Sequence, residues 1–465
     1  MQSKLRILPE EIRPHIVPIM ILSSLTIVIT RNFYIDLNGI PTGTDMLSWS
    51  KRVKLGITSL NPLYIWSSES VGGLRPVGQL DSILLLLGLI LRDPVLTVKI
   101  FITLCLAVVG ISMYFSCYKY TKSVIGSLAG SIIYLTNPYF VSGLTIGDLY
   151  GLFYFTLIPI LIYSLHDYLQ YFHKKSILLY VIVLSLITVY NRLDNLVYTS
   201  YLTVTFMIVY MLHYYRLKRL KYYLLKVMIF ILISFPLIFL IGCFQYIPII
   251  IHMTPTYFYK FEEDFHKRLG SLPSLYAPFL CLREGGYYST YWKITYYSNP
   301  YVGSLYHIIL TLFPLLAYLA VILIRGKPLI NALALSTLIP IFLSKGLNPP
   351  HEEIVILIYK YSPLHHVGIL GIHRWLRVLC PSYTILASFS ISHLLNKIKR
   401  VKLRRSTILW LVIISIIMSY PLATIPIFLN GLITWTPPDE YVKPVSYTHL
   451  RAHETEADLV CRLLL

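Results

Sequence analysis

One aspartate stands in a sequence context suited to acid–base chemistry. Asp45 follows Gly43 and Thr44 in a Gly-Thr-Asp turn, about fifteen residues past the first apolar stretch of the chain. A carboxylate fixed at a membrane face could accept the proton of an acceptor hydroxyl as a general base. The alternative is that Asp45 caps a helix beginning near Met46, because aspartate is a favoured N-cap residue. Both roles fit the spacing, and Asp45 is the candidate catalytic residue.

A second group of residues is suited to binding phosphate. His373 and Arg374 precede Arg377 by four and three residues, so on a helix they would share one face. Arginine grips phosphate oxygens through two parallel N–H donors, which makes these residues the candidates for binding a donor phosphate. The alternative is that these cations contact lipid head groups or anchor a helix at the membrane surface.

Further candidates to bind substrate are scattered along the chain. They are carboxylates, aromatic rings that could stack on a sugar, and one arginine in a short turn: Asp36, Trp66, Asp148, Arg192, Tyr288 and Trp292. The alternative for the aromatic residues is an ordinary belt at the membrane surface, where tyrosine and tryptophan are enriched.

The sequence predicts no metal site and no certain cofactor. The segment from His351 begins like the HExxH motif of zinc hydrolases, but Val355 stands where the second histidine is required. The six cysteines form no CxxC pair. A divalent cation could be held by carboxylates, although their spacing does not argue for one: Asp36, Asp45 and Asp148.

The elements that must position these residues follow from the composition. Of the 465 residues, 56% are hydrophobic and 13% are charged, and the mean hydropathy is +0.66. A soluble domain carries about 25% charged residues, which argues against a water-soluble enzyme. The net charge of +19 does not indicate a nucleic-acid partner, because the basic residues stand between apolar runs instead of clustering on one wettable face. The composition is that of an all-α, polytopic integral membrane protein.

Apolar runs set the expected number of membrane crossings. A bilayer core about 30 Å thick needs about 20 apolar residues per helix, and on this basis we expect about eleven transmembrane helices. The predicted spans are 14–30, 98–116, 124–141, 150–165, 176–190, 196–212, 227–251, 302–324, 328–344, 379–396 and 406–430. The apolar stretch 82–91 is shorter and is expected to lie at the membrane surface or to re-enter.

The distribution of charge predicts the orientation. If 82–91 stays on one side, half of the basic residues fall in the short loops of one face, with only Glu10, Glu11 and Asp167 among the acids. Basic loops favour the cytoplasm, so the N-terminus is predicted inside and the C-terminus outside a plasma membrane. The long, mixed loops then face outward: 31–97, 252–301 and 345–378.

Several short motifs together resemble one group of membrane enzymes. In chain order they are Gly43-Thr44-Asp45, Lys51 with Arg52, Trp66, Gly73, Tyr134-Leu-Thr-Asn137-Pro138-Tyr139, Gly147-Asp148, Tyr301-Val-Gly303, Ser344-Lys345-Gly346, Pro349, Tyr359, Pro363, Arg374 and Arg377. Over about residues 10–444 the chain resembles the GT-C fold glycosyltransferases, and more closely the polytopic proteins related to arabinofuranosyltransferases and to YfhO-type membrane proteins. The resemblance implies transfer of a sugar from a polyprenyl-phosphate donor to a glycan, glycolipid or protein acceptor on the outer membrane face. Asp45 would take the position of the catalytic base.

The resemblance also sets the expected domain organisation. Residues 1–435 would form the transmembrane GT-C-like domain with its outer loops, and 436–444 look like the first residues of an outer domain. Residues 445–465 resemble the translation of a sequencing adapter and are not expected to belong to the fold.

Two other functions are compatible with the sequence. One is a transporter or flippase for a lipid or polymer. Ion-coupled transport usually needs ionisable residues inside the membrane, and the predicted spans contain no Asp or Glu, only Lys99 and a few histidines. The other is a non-enzymatic membrane subunit that helps to assemble an envelope polymer.

Overall fold

The computed structural model describes residues 13–36, 40–41, 64–67, 73–76, 79–146, 148–188, 193–252, 300–346, 349–361, 372–398, 414 and 434–435. The helices in this part of the chain are α1 (Arg13–Ile35), α2 (Gln79–Leu91), α3 (Pro94–Thr121), α4 (Val124–Leu135), α5 (Pro138–Ile146), α6 (Leu149–Tyr171), α7 (Lys174–Thr188), α8 (Leu193–Arg216), α9 (Leu220–His252), α10 (Pro300–Leu323), α11 (Pro328–Ser344), α12 (Glu352–Tyr361) and α13 (Leu376–Ile398). A 3₁₀ helix, Ile372–Trp375, precedes α13.

Strands contribute little to this architecture. The strand β1 (Ile40–Pro41) pairs antiparallel with β4 (Thr434–Trp435). The strand β2 (Tyr64–Ser67) pairs antiparallel with β3 (Gly73–Pro76), with Trp66 opposite Leu74. The protein is therefore essentially all-helical, which confirms the predicted fold class.

Seven described segments are long and apolar enough to cross a membrane. They are α1, α3, α4 continued into α5, α6, α8, α9 and α13, and each coincides with a predicted span. Three further helices, α7, α10 and α11, coincide with the predicted spans 176–190, 302–324 and 328–344. Apart from residue 414, the predicted span 406–430 lies outside the described residues, so the count of eleven stays a prediction.

Helix α3 shows how local sequence sets the ends of these elements. Its first turn begins with Pro94, which needs no hydrogen-bond acceptor for its nitrogen. The carboxylate of Asp93 accepts from the backbone nitrogens of Val95 at 2.8 Å and Leu96 at 3.0 Å. The helix ends at Lys122, whose backbone adopts the left-handed conformation and donates to the carbonyl of Tyr118. Both ends are thus fixed by residues within one turn.

Helices α1 and α3 run antiparallel. Near one end of the pair, Nδ1 of His15 lies 2.7 Å from the hydroxyl of Tyr114. Near the other end, the hydroxyl of Tyr34 donates to Thr103 over 2.8 Å. If α2 crossed the membrane, α1 and α3 would run parallel. The observed arrangement is the one expected when 82–91 stays on one side, and α2, with 13 residues, is about 20 Å long.

The predicted span 124–141 is divided in two. Helix α4 ends at Leu135, and α5 begins at Pro138. The side-chain oxygen of Asn137 accepts from the backbone nitrogens of Tyr139 at 3.0 Å and Phe140 at 3.4 Å, so it caps α5. Proline removes one helical hydrogen bond and disfavours helical geometry in the residue before it, which explains the interruption within an otherwise apolar run.

Helix α13 occupies the centre of the bundle. It packs against α3, α4, α6, α8, α10 and α11, and nearly all of its side chains are buried. Several of its buried hydroxyl groups bond to nearby backbone or to neighbouring helices; for example, Ser388 donates to the carbonyl of Gly126 over 2.9 Å. Over residues 220–240, helix α9 by contrast leaves most of its apolar side chains exposed, as expected for a helix on the lipid-facing perimeter.

The close contact between α4 and α13 depends on glycine, so we expect Gly126→Ala to destabilise the protein. A Cβ atom at this position would lie 2.0 Å from Oγ of Ser392 and 3.2 Å from the backbone oxygen of Ser388. Forced overpacking of this kind costs about 1–3 kcal/mol. Thermal unfolding in detergent would measure the loss. Gly143→Ala is the matched control, because a Cβ atom there meets nothing within 4 Å; an equal loss in both variants would contradict the interpretation.

Candidate functional site

A fully buried arginine joins three helices at the predicted outer end of the bundle. Arg377, in the first turn of α13, donates from one guanidinium nitrogen to Oδ1 of Asn195 over 2.6 Å. Its other terminal nitrogen donates to Oδ2 of Asp148 over 2.8 Å. Asp148 precedes α6 and Asn195 lies in the first turn of α8, so one side chain connects α6, α8 and α13. We call these three residues the outer clasp.

The carboxylate of Asp148 is held from two directions. Its Oδ1 accepts from the backbone nitrogen of Gly151 over 3.0 Å and caps α6. A Cβ atom on Gly151 would lie 2.6 Å from Oδ2 of Asp148, so the glycine is what allows this approach. With Arg377 on Oδ2, the carboxylate already interacts with a cation. In the described part of the chain no three His, Cys, Asp or Glu side chains come together as a metal site.

A second polar layer lies beneath the clasp. The thiol of Cys380, one turn into α13, donates to the side-chain oxygen of Asn137 over 3.3 Å. The ring of Tyr154 on α6 stands 6.0 Å from the guanidinium carbon of Arg377, in cation–π geometry. The break between α4 and α5 therefore places a buried amide next to the central helix. A small pocket beside Asp148, lined by Tyr139, Phe155 and other residues of α5 and α6, opens at the same level.

The 3₁₀ helix before α13 is held by a buried tryptophan. The ring of Trp375 packs edge-on against Tyr198 at 4.9 Å and Tyr201 at 5.7 Å, both on α8. Arg374 and His373 precede Trp375 on this short helix, and Arg374 is half-buried. Trp375 and Arg377 thus fix both the position and the direction of the chain that carries Arg374.

The structure describes two of the predicted phosphate-binding side chains. Arg374 lies in the 3₁₀ helix and is half-buried. Arg377 lies in α13, and its guanidinium bonds to Asn195 and Asp148 within the bundle. The pattern of three- and four-residue spacing could not reveal these bonds, because it compares positions on one helix and not contacts between helices.

The remaining predicted site residues divide into those the structure places and those it does not. Asp36 ends α1, and its backbone oxygen accepts from the ammonium of Lys99, which is fully buried in α3, over 2.6 Å. The backbone of Trp66 lies in β2. Asp45, Arg192, Tyr288 and Trp292 lie outside the described residues.

Sequence reasoning missed Asn195, Asn137, Cys380 and Trp375 as parts of this assembly. The signal that could have found them is the rarity of buried amides next to membrane spans, since a polar group removed from water needs a partner. Asn195 stands just after the short turn that contains Arg192, and its side chain bonds to Arg377, 182 residues away.

Comparison with known proteins places the fold. A family model described as a 6-pyruvoyl-tetrahydropterin synthase related domain of a membrane protein matches residues 82–292. The solved structure of the arabinofuranosyltransferase AftD from Mycobacteria superposes with a TM-score of 0.53 over 91% of this chain, at 12% identity. The chain spans 27% of the length of that enzyme. No curated protein matches the sequence. The chain is thus a membrane protein with a GT-C-like fold.

Proposed function

We propose that the protein is a membrane glycosyltransferase. It transfers a sugar from a polyprenyl-phosphate donor to a glycan, glycolipid or protein acceptor on the outer face of the plasma membrane, with Asp45 as the general base. The observation that carries the proposal is the similarity of fold, over nearly the whole chain, to a membrane arabinofuranosyltransferase. The closer relationship to YfhO-type proteins, and the orientation with the N-terminus inside, belong to the same proposal.

The arrangement of the described residues supports this reaction. Displacement at an anomeric carbon needs a base on the incoming hydroxyl and cations near the departing phosphate. Arg374 supplies a cation at the predicted outer membrane surface, and the outer clasp orients the helix that follows it. A polyprenyl chain needs an apolar surface between or along helices, which a bundle of this size provides.

The first outer loop starts from a fixed point. Asp36 precedes Asp45 by nine residues, so an extended chain could carry Asp45 at most about 30 Å from the end of α1. The hydrogen bond from Lys99 to the backbone oxygen of Asp36 fixes the position from which this segment of chain begins. Asp45 and Arg374 are thus proposed to act on one substrate at the same membrane face.

The decisive experiment uses the purified full chain in lipid nanodiscs. A labelled polyprenyl-phosphate sugar is supplied with and without a glycan acceptor, and the product is measured. We expect sugar transfer that depends on the acceptor. Movement of the lipid across proteoliposome membranes without an acceptor would instead indicate a transporter or flippase. Loss of an envelope polymer in cells lacking the protein, with no transfer by the purified chain, would indicate an assembly subunit; either result overturns the proposal.

A further inference from the structure

Helix α11 ends, at the predicted outer face, in a buried serine and a buried lysine. Ser344 and Lys345 have 2% and 4% of their surfaces exposed. The hydroxyl of Ser344 has no hydrogen-bond partner among the described residues. A buried hydroxyl without a partner is destabilising, and native proteins contain few of them. This hydroxyl therefore points to a bonding partner outside the described part of the chain.

Arg374 lies at the same height in the membrane as Ser344. Helices α11 and α13 run antiparallel, because Ser336 lies 3.0 Å from Ser382 and Lys327 stands 5.4 Å over the ring of Phe389. Ser344 is eight residues beyond Ser336, a rise of about 12 Å, and Arg374 is eight residues before Ser382, a rise of about 13 Å. The 3₁₀ helix carrying Arg374 also packs against α11.

Lys345 is a buried cation beside an aromatic ring and two acids. Its ammonium stands 5.0 Å over the ring of Phe342. Two acids near it are Glu352 and Glu353, at the start of α12. Burial lowers the pKa of Lys345, and these two carboxylates oppose the shift. Both glutamates remain partly or fully exposed to solvent, so they are screened more strongly than the buried ammonium.

An exposed apolar stripe leads along α11 to this position. Leu335 and Leu338 are exposed, and with Phe342 and Lys345 they follow the three- and four-residue spacing of one helical face. Lys345 continues the helix with right-handed backbone geometry, so it lies at the outer end of the stripe. A lipid tail on the stripe would bring its head group to Lys345, which directly follows Ser344 in the chain.

We propose that Ser344, Lys345 and Arg374 form a binding site for the phosphate group of a polyprenyl phosphate whose tail lies along α11. The inference rests on the proposed function for its ligand class, and it names the donor-phosphate site of that reaction. The hydroxyl of Ser344 donates to a phosphate oxygen, and the two cations balance the charge of the phosphate. No bond is formed or broken in this binding step.

Binding of undecaprenyl phosphate to the full chain in nanodiscs tests the site. Ser344→Ala should weaken binding about tenfold or more, because it removes one hydrogen bond to a charged group. It should not affect folding, because the hydroxyl has no partner within the described part of the chain. Ser390→Ala is the matched control, since Ser390 is also a buried hydroxyl without a partner among the described residues but lies deeper, in α13. The affinity of the Ser390→Ala variant for undecaprenyl phosphate should stay unchanged.

Two further measurements identify the ligand. Lys345→Met should weaken binding of undecaprenyl phosphate more than Lys345→Arg does, whereas weak binding of undecaprenol should be equal in all variants. Inorganic phosphate that binds as tightly as the lipid would overturn the assignment to a lipid. Unchanged affinity in both Ser344→Ala and Lys345→Met would overturn the site. Specific binding by a chain that never transfers sugar would leave the site in place and reject the proposed function.

Discussion

Replacement of Asp45 by asparagine is expected to reduce sugar transfer about 100-fold or more without loss of folded protein. A positioned general base contributes roughly 10²- to 10⁴-fold to the rate, and asparagine cannot accept the proton. Asparagine caps helices as well as aspartate does, so the substitution keeps the alternative role of Asp45 intact. The measurement is the transfer rate at saturating donor, together with the melting temperature in detergent.

Two controls make this result specific. Asp93→Asn removes another carboxylate of the same loop but keeps a side chain that can cap α3, so it should retain most of the activity. Asp45→Ala should lose transfer activity. It should also lose any stabilisation by a helix cap, which would lower the free energy of unfolding by about 1 kcal/mol. Full transfer by the Asp45→Asn protein would show that the base has been assigned to the wrong residue.

The largest effect on stability is expected for Arg377→Met. This change leaves the carboxylate of Asp148 without its cation in a site where the side chain is 11% exposed. Removing one partner of a buried ion pair costs about 3–5 kcal/mol, most of it from the uncompensated charge that remains. Thermal unfolding of the purified protein in detergent measures the loss.

A double variant separates this charge effect from simple loss of packing. Asp148→Asn retains a helix cap for α6 but removes the negative charge, so adding it to Arg377→Met should restore part of the lost stability. The two changes are then strongly non-additive, as expected for residues in direct contact. If the double variant is as unstable as the sum of the two single variants, the ion pair is not the source of the effect.

The sequence was sufficient for the parts of the fold that depend on local pattern. Apolar runs located the helices, because hydropathy acts on each segment separately. The basic loops predicted that 82–91 stays on one side, and the antiparallel arrangement of α1 and α3 agrees with that prediction. The break at Asn137 and Pro138 was missed, because the segments on both sides are apolar and their combined length is that of one membrane span. The asparagine and proline together were the available signal.

The candidate site was harder to predict from the sequence than the helices were. Asp148 and Arg377 were both identified as functional candidates, but as two separate binders of substrate. Their contact requires α6 and α13 to meet, and no periodicity in a single chain encodes which helices become neighbours. The inward direction of Arg377 follows only once Asn195 and Asp148 are known to face it.

The outer clasp also has a consequence for the order in which the protein is made. Asp148 and Arg377 are 229 residues apart in the chain, so at about 5–20 residues per second the carboxylate waits on the order of 10–50 s for its cation. Until then, α6 and α8 are made with Asp148 and Asn195 lacking the hydrogen bonds that Arg377 later donates to them. The first helices are therefore a provisional assembly, and the arrival of α13 completes it. A chain that stopped before residue 377 would leave Asp148 and Asn195 without the arginine to which both bond in the finished protein.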